Sequence, residues 1–385
     1  MANVLTDLAA DIYRAADIVG RELVGVIPSV TINAGSEGAA FNDTVRAAFT
    51  AQPTLNTSYT PSMTTPEGDD QTVTNKTMTI DKVANVQIPW TGEDIKHVSN
   101  GAGYETIYGD QLAQAMRTIT NAIEGHAAAT LALGASRAIG TAGTTPFGSN
   151  FDVIAEARQI LVDNGMPLDG QATVAMNSSA GTKLRNLAQL QKVNEAGGDS
   201  LLRRGELLNL QGLMLKESNG IAAHTKGTAT GALVNGALAI GATAVVFDGA
   251  TAGSTGIKAG DVITFAADAS NKYVVETGLV GTSGTITIAA PGLRVAIADN
   301  NAITVGGSYA GNVAFHRAAA ELVVRPPAQP FGGDAAVDRM TVQDPFSGLV
   351  YEIAVYKGYG KVMFDVTTFY AAKVWKPDFV ATLLG

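Results

Sequence analysis

From Thr54 to Thr74 the chain reads TLNTSYTPSMTTPEGDDQTVT, a run of threonine, serine, proline and acid with few apolar side chains. Its centre, PSMTTPEGDD, is a strong turn signal. The sequence on either side is extended. Ser29 to Asn33 alternates like a strand, Thr72 to Ile80 (TVTNKTMTI) alternates with period two, and Val83 to Trp90 reads as another strand. Residues 29–90 are therefore predicted to form a long β-hairpin with a polar tip. A hairpin alone is marginal in water, and this one has almost no apolar face of its own. It must lie on something else, another copy of the chain included. That requirement limits what the rest of the chain can be.

Two helical patterns flank the hairpin. In the first, Val4, Leu5, Leu8, Ile12, Ala15, Val19 and Leu23 fall at helix spacing, with Asp7, Asp11, Arg14 and Asp17 opposite, and Pro28 ends the run. Its apolar stripe must dock on the chain's own body or on a neighbour. The second, over residues 104–135, is the clearest. Ile107, Leu112, Met116, Ile119, Ile123, Ala127 and Leu131 recur at three- and four-residue steps. Such a helix is about 45 Å long, and Gly125 within it costs about 1 kcal/mol relative to alanine. A single helix this long suggests a spine crossing a flat lobe.

Beyond it, residues 150–222 alternate helix and strand. Phe151 to Asn164 is helical, with Asp152 as a candidate cap and Gly165-Met166-Pro167 as its stop. A strand is expected from Gln171 to Met176, a helix capped by Asn177 or Ser178, a short helix over Ser200–Leu208 and a strand over Leu213–Lys216. At about residue 225 the composition becomes rich in Gly, Ala and Thr. Short strands follow at Ala244–Phe247, Asp261–Phe265, Tyr273–Thr277, Thr285–Ile288 and Ile303–Val305. This reads as a small antiparallel barrel or sandwich inserted over 226–311. Past residue 312 the earlier lobe resumes, mostly as strand, with a hairpin turn at Lys357–Gly360. The fold class expected is α+β.

Length and composition narrow the function. At 385 residues the chain suits roughly two or three lobes. A net charge of -9 lacks the basic balance of a phosphate-gripping protein. Without cysteine there are no disulfides, thiolate metal sites or cysteine nucleophiles. The start has acids where a signal peptide needs a basic, then apolar, run, and no stretch approaches the ~20 apolar residues of a membrane span. Manufacture in a cytoplasm is expected.

No phosphate loop, dinucleotide fingerprint, H-E-x-x-H or G-x-S-x-G occurs. His97, His126, His224 and His316 are scattered without metal-ligand spacing. Glu93 with His97, and Glu321 with Arg325, are read as ordinary surface pairs. Glu67, Asp69 and Asp70 could hold a cation, make a solvated loop tip or bridge subunits. Asp248 and Asp261 are read as turn residues, and Trp90 and Trp375 as core or interface anchors. Asn56-Thr57-Ser58 matches a glycosylation sequon, without consequence in a cytoplasm. The reading is not an enzyme, and no cofactor is expected.

The order of parts then matters. N-terminal helix, polar hairpin, spine helix, α/β lobe and strand-rich return resemble the tailed-phage capsid fold. More specifically, the chain is similar to the coat protein of the Salmonella short-tailed phage type, which carries an inserted β-barrel. The segments that carry this are LMLKESNGIAAHTKGTATGALV (Leu213–Val234), IKAGDVITFA (Ile257–Ala266) with KYVVETGLVGTSGTITIAAPGL after it, and NVAFHRAAAELVVRPPAQP (Asn312–Pro330).

The resemblance implies an N-terminal arm (1–30), an extended loop (about 50–82) in a peripheral domain with its spine helix (31–150), an axial domain (151–225), the insert (226–311) and a return (312–385). It implies a major capsid protein that assembles through pentamers and hexamers into an icosahedral shell around double-stranded DNA, bound without sequence specificity. A virion location, assembly in a host bacterial cytoplasm, and scaffolding, portal and possible decoration proteins as partners go with it. Leu5, Leu8 and Ile12 of the arm, and Glu67, Asp69, Asp70 and Lys76 of the loop, are the expected inter-subunit contacts. Some capsids of this fold crosslink a lysine to a neighbour's asparagine. Lys76 and Lys82 flank the loop, but no asparagine lies in the last 70 residues, so no crosslink is expected. The rival readings are an encapsulin-type compartment shell, a surface adhesin and an enzyme with no site to name.

Overall fold

The computed structural model describes residues 23–50, 55, 57, 60–65, 73–98, 104–191, 207, 209–251, 253–344 and 347–385. The expected arm helix and the Ser200–Leu208 helix lie outside those residues but for their edges.

One lobe is a six-stranded sheet with a helix laid across it. The chain enters through β1 (Thr31–Ala34), makes the hairpin β2 (Thr44–Thr50) and β3 (Val73–Thr79), and runs along β4 (Lys82–Thr91). After α1 (Gly92–Val98) comes the spine, α2 (Tyr104–Leu133), 30 residues long. Its stripe of Leu112, Met116, Ile119, Ile123, Ala127 and Leu131 is buried, in one core with Trp90, Tyr351, Ile353, Phe364 and Val366. Each such aliphatic side chain contributes about 1.5–3 kcal/mol when fully buried.

The remaining strands of this sheet come from the far end of the chain: β17 (Ala320–Arg325), β18 (Ala336–Gln343), β19 (Val350–Gly358) and the 14-residue β20 (Lys361–Val374). β20 organises the lobe. It pairs with β19 over Lys361–Thr367, with β17 over Phe369–Val374, and with β4 from Lys361 to Tyr370. β1 runs parallel to β17. Glu321 and Arg325 thus lie on a strand, not on a helix, and do not form the expected surface pair. Both reach Asn33 instead: Arg325 donates to its carbonyl and side-chain oxygens at 2.6 Å, and Glu321 accepts from its amide at 2.8 Å.

The second lobe is α/β. Strand β6 (Ala172–Met176) is buried throughout, between β8 (Leu213–Glu217), parallel to it, and β16 (Tyr309–His316), antiparallel. β21 (Val380–Leu384) continues the sheet to β5 (Arg137–Ile139), and β7 (Asn209–Leu210) closes the other edge. Helices α3 (Asp152–Asp163) and α4 (Ser178–Arg185) cover it, followed by α5 (Ala188–Gln191). Phe151, not Asp152, occupies the N-cap of α3, and makes no side-chain cap. Its end is a full Schellman closure: Met166 N–H donates to Leu161 O, Gly165 N–H to Val162 O, and Gly165 has φ +88°. Asn177 caps α4 by accepting from Ala180 N–H at 2.9 Å.

Between β9 (Ala223–His224) and β16 lie β10 (Leu233–Val234), β11 (Ala244–Asp248), β12 (Val262–Phe265), β13 (Asp268–Thr277), β14 (Gly284–Ile288) and β15 (Ile303–Val305), all antiparallel to one another where they pair. Val245, Phe247, Ile263, Phe265, Tyr273 and Ile286 centre a hydrophobic core of their own. The segment is nevertheless hydrogen-bonded into the α/β sheet, because β13 pairs with β5 through Lys272 and Tyr273.

The β2–β3 hairpin pairs from Thr44↔Thr79 to Thr50↔Val73. Where almost no apolar face was expected, its base has a foot. Met78 and Ile80 are buried with Val323, Ala371 and Trp375, and Val45 and Ala47 pack beside them. The stem therefore rests on the chain's own sheet.

Candidate assembly elements

Of the residues expected at inter-subunit contacts, Leu5, Leu8, Ile12, Glu67, Asp69 and Asp70 lie outside the described residues, as does most of the polar hairpin tip. Lys76 lies on β3. Its ammonium donates to Trp375 O at 2.9 Å, and Lys373 answers by donating to Thr77 O at 2.6 Å. The two lysines tie the hairpin stem to the C-terminal end of β20 and the residue after it. Lys82 stands at the hairpin's foot, 3.6 Å from Asp81 in an exposed pair.

Polar joints of this kind recur where segments distant in sequence meet. Glu124, 1 % exposed on the spine helix, accepts from Gly25 and Val26 N–H at 2.8 Å, from Ile27 N–H at 2.9 Å and from the Ser218 hydroxyl at 2.5 Å. Asp261, also buried, accepts from His224 Nε2 at 2.8 Å, Lys258 N–H at 2.8 Å and Gly227 N–H at 2.9 Å. It is more than a turn residue, since it pins the strand that leads into the Gly-rich segment. Tyr309 adds a hydroxyl bond to Gly260 O at 2.7 Å. A side chain at Gly227 would meet Gly256 O at 2.2 Å, which is why the close approach needs glycine.

At the far corner of the six-stranded sheet, Arg339 binds both Asp334 and Glu352, and Tyr356 donates to Asp334 at 2.7 Å. The guanidinium, then the phenol, holds the Asp334 carboxyl down at about 2. On α4, Arg185 grips Glu217 through two bonds of 2.6 Å. His316 accepts from Ala318 N–H through Nδ1, so its Nε2 carries the hydrogen offered to Asp169 at 3.0 Å.

Sequence reasoning missed Glu124, although a signal was there. The residue falls between Thr120 and Ala128 in the apolar sector of the spine helix, where a carboxylate is costly unless its oxygens are filled. Of the clefts, one of about 570 Å³ lies between α3 and β13, lined by Arg137, Glu156, Asp163 and Lys272. A groove of about 480 Å³ follows β4 beside α2. Among the described residues no three His, Asp or Glu side chains gather as a metal site, and no helix is long and apolar enough to cross a membrane. Among the described residues the geometry offers joints between segments.

No protein-family model and no curated protein sequence matches the chain. Solved structures do. A structure from Mycobacterium phage Che8 aligns at a TM-score of 0.50 and 16% identity, over 89% of this chain and 84% of that one. The capsid structure of Cyanophage P-SCSP1u aligns at a TM-score of 0.50 and 12% identity, over 92% and 86%. The chain has the tailed-phage capsid fold. At these identities the likeness is one of architecture.

Proposed function

We propose that this chain is the major capsid protein of a tailed double-stranded DNA phage, of the Salmonella short-tailed type. In this reading it self-assembles into the icosahedral procapsid and then the mature head. The observation that carries it is the match of fold to a cyanophage capsid over nine-tenths of the chain. The proposal assigns 1–30 to the arm, about 50–82 to the extended loop, 104–135 to the spine helix, 151–225 to the axial domain, 226–311 to the insertion domain and 312–385 to the return. Scaffolding and portal proteins are the assembly partners, decoration proteins can add to the shell, and DNA is enclosed without sequence-specific contacts. The net charge of -9 suits a wall that holds DNA without gripping it.

Association free energy does the work. Weak contacts repeated around rings become strong when the shell closes. Leu5, Leu8 and Ile12, and Glu67, Asp69 and Asp70, belong to those contacts in this reading. Electron microscopy of the purified protein, with and without scaffold, is the decisive experiment. Closed shells of uniform size support the proposal; a monomer under every assembly condition defeats it. Deleting 55–75 is expected to leave soluble, folded subunits that fail to make normal shells, because the stem keeps its seat on Trp375 and Val323 while the tip is gone. Normal particles from that deletion would remove the loop from the contact set. In mature particles the capsid protein should run as a monomer band on a denaturing gel, since no asparagine lies in the last 70 residues to take a lysine crosslink; a covalent ladder would reverse that expectation.

A further inference from the structure

We infer that Glu124 is a positioning residue: its carboxylate is a clasp that fixes where the N-terminal segment joins the body and locks it to the connector after β8. The inference rests on the proposed role of residues 1–30 as an assembly arm. Three segments meet at this one side chain. Gly25, Val26 and Ile27 present consecutive backbone N–H groups to it, and Ser218 closes the remaining side. A carboxylate with four donors in a buried setting is satisfied, and one with none would be strongly unfavourable.

The backbone around the clasp is shaped to allow it. A side chain at Gly25 would meet Glu217 O at 2.5 Å, and one at Gly220 would meet Glu124 Cγ at 2.7 Å and Gly125 N at 2.9 Å. The arm's root is thus pressed against the connector at Gly25, and the connector against the spine helix at Gly220. Asn219 N–H donates to Leu23 O at 3.2 Å, so root and connector also hold each other, and Ser29 Oγ donates to Gly25 O at 2.7 Å within the root. Val26 and Ile27 are fully buried and keep the root in the core. Apolar burial alone would hold this root at some angle. Three amides on one carboxylate fix which angle.

The test is hydrogen exchange on the full-length subunit, paired with assembly of the same protein. In Glu124→Gln, one oxygen becomes an amide NH2 facing backbone donors. Exchange at the amides of residues 25–27 and of Asn219 should rise by about tenfold or more, with β19 and β20 unchanged. Shell yield should fall although subunits stay soluble. Ser218→Ala, which removes one donor of four, should loosen the same amides to a smaller degree, and it reads the clasp if the glutamine variant is insoluble. Unchanged exchange at 25–27, or acceleration spread over the whole body, overturns the clasp. Loosened amides with normal shells overturn its role in assembly. If the unaltered protein itself makes no shell, the capsid proposal fails while the exchange result still reports on the clasp.

Discussion

His126 sits half-buried on the spine helix with its ring edge-on to Tyr370, centroids 5.5 Å apart. Burial is the leading cause that pushes its pKa below the ordinary 6.5; Asp81 opposes the shift and Lys82 adds to it. The unfolded chain therefore takes up this proton more readily than the folded one. Stability from this site is complete above pH 6.5 and is lost as pH falls below it. His126→Gln is expected to shrink the fall in Tm between pH 7.5 and 5.5, and equal falls in both proteins would show that the site does not contribute. Residues of this kind are hard to read in advance. His126, Glu124 and Asp261 draw their roles from partners far away in sequence, such as Asp81, Gly25 and His224. The Asn177 cap was readable because its partner, Ala180, is three residues on.

The hairpin shows how far pattern carries at the scale of an element. Period-two alternation placed β3 and β4 to within a residue or two, but it did not show β2 as a strand, and the expected hairpin over 29–90 is confined to β2 and β3, since β1 pairs with β17 and β4 with β20. The alternation did not reveal that Met78 and Ile80 form a foot, because two apolar side chains among threonines read as noise until Trp375 and Val323 are known to lie beneath them. Met78 is 3 % exposed in a small cluster that few other residues support. Met78→Ala should therefore cost about 2–5 kcal/mol of local seating. The expected readout is faster exchange along β2 and β3 while α2 keeps its protection. A uniform loss across the subunit would show instead that the foot is part of the global core. The spine helix was the easiest element to read, since Leu112 to Leu131 forms a stripe that only one face can bury.

At the scale of the whole molecule, the compositional break near residue 225 gave the Gly-rich block, but no local pattern marks the β13–β5 ladder. β5 is three residues long, and its pairing with Lys272 and Tyr273 spans more than a hundred positions of chain. The block leaves the body and returns at neighbouring points, with Lys226 N–H donating to Ser308 Oγ at 3.2 Å, so a short Gly–Ser linker can replace 227–307. Such a chain should keep the core of Val174, Leu215 and Leu383, and most of the one around Tyr351, Ile353 and Val366, which loses Val262 and Val274 of the excised strands. It should lose the cover on one side of β5, exposing unpaired backbone groups at Arg137 and Ala138, and an uncovered edge pairs with other chains. The expected outcome is a folded subunit with native exchange protection in β19 and β20, a lower Tm, and concentration-dependent association by light scattering. Loss of protection throughout would mean that the β5 ladder carries the fold of the α/β lobe itself, since β21 and then β16 pair in sequence from that edge.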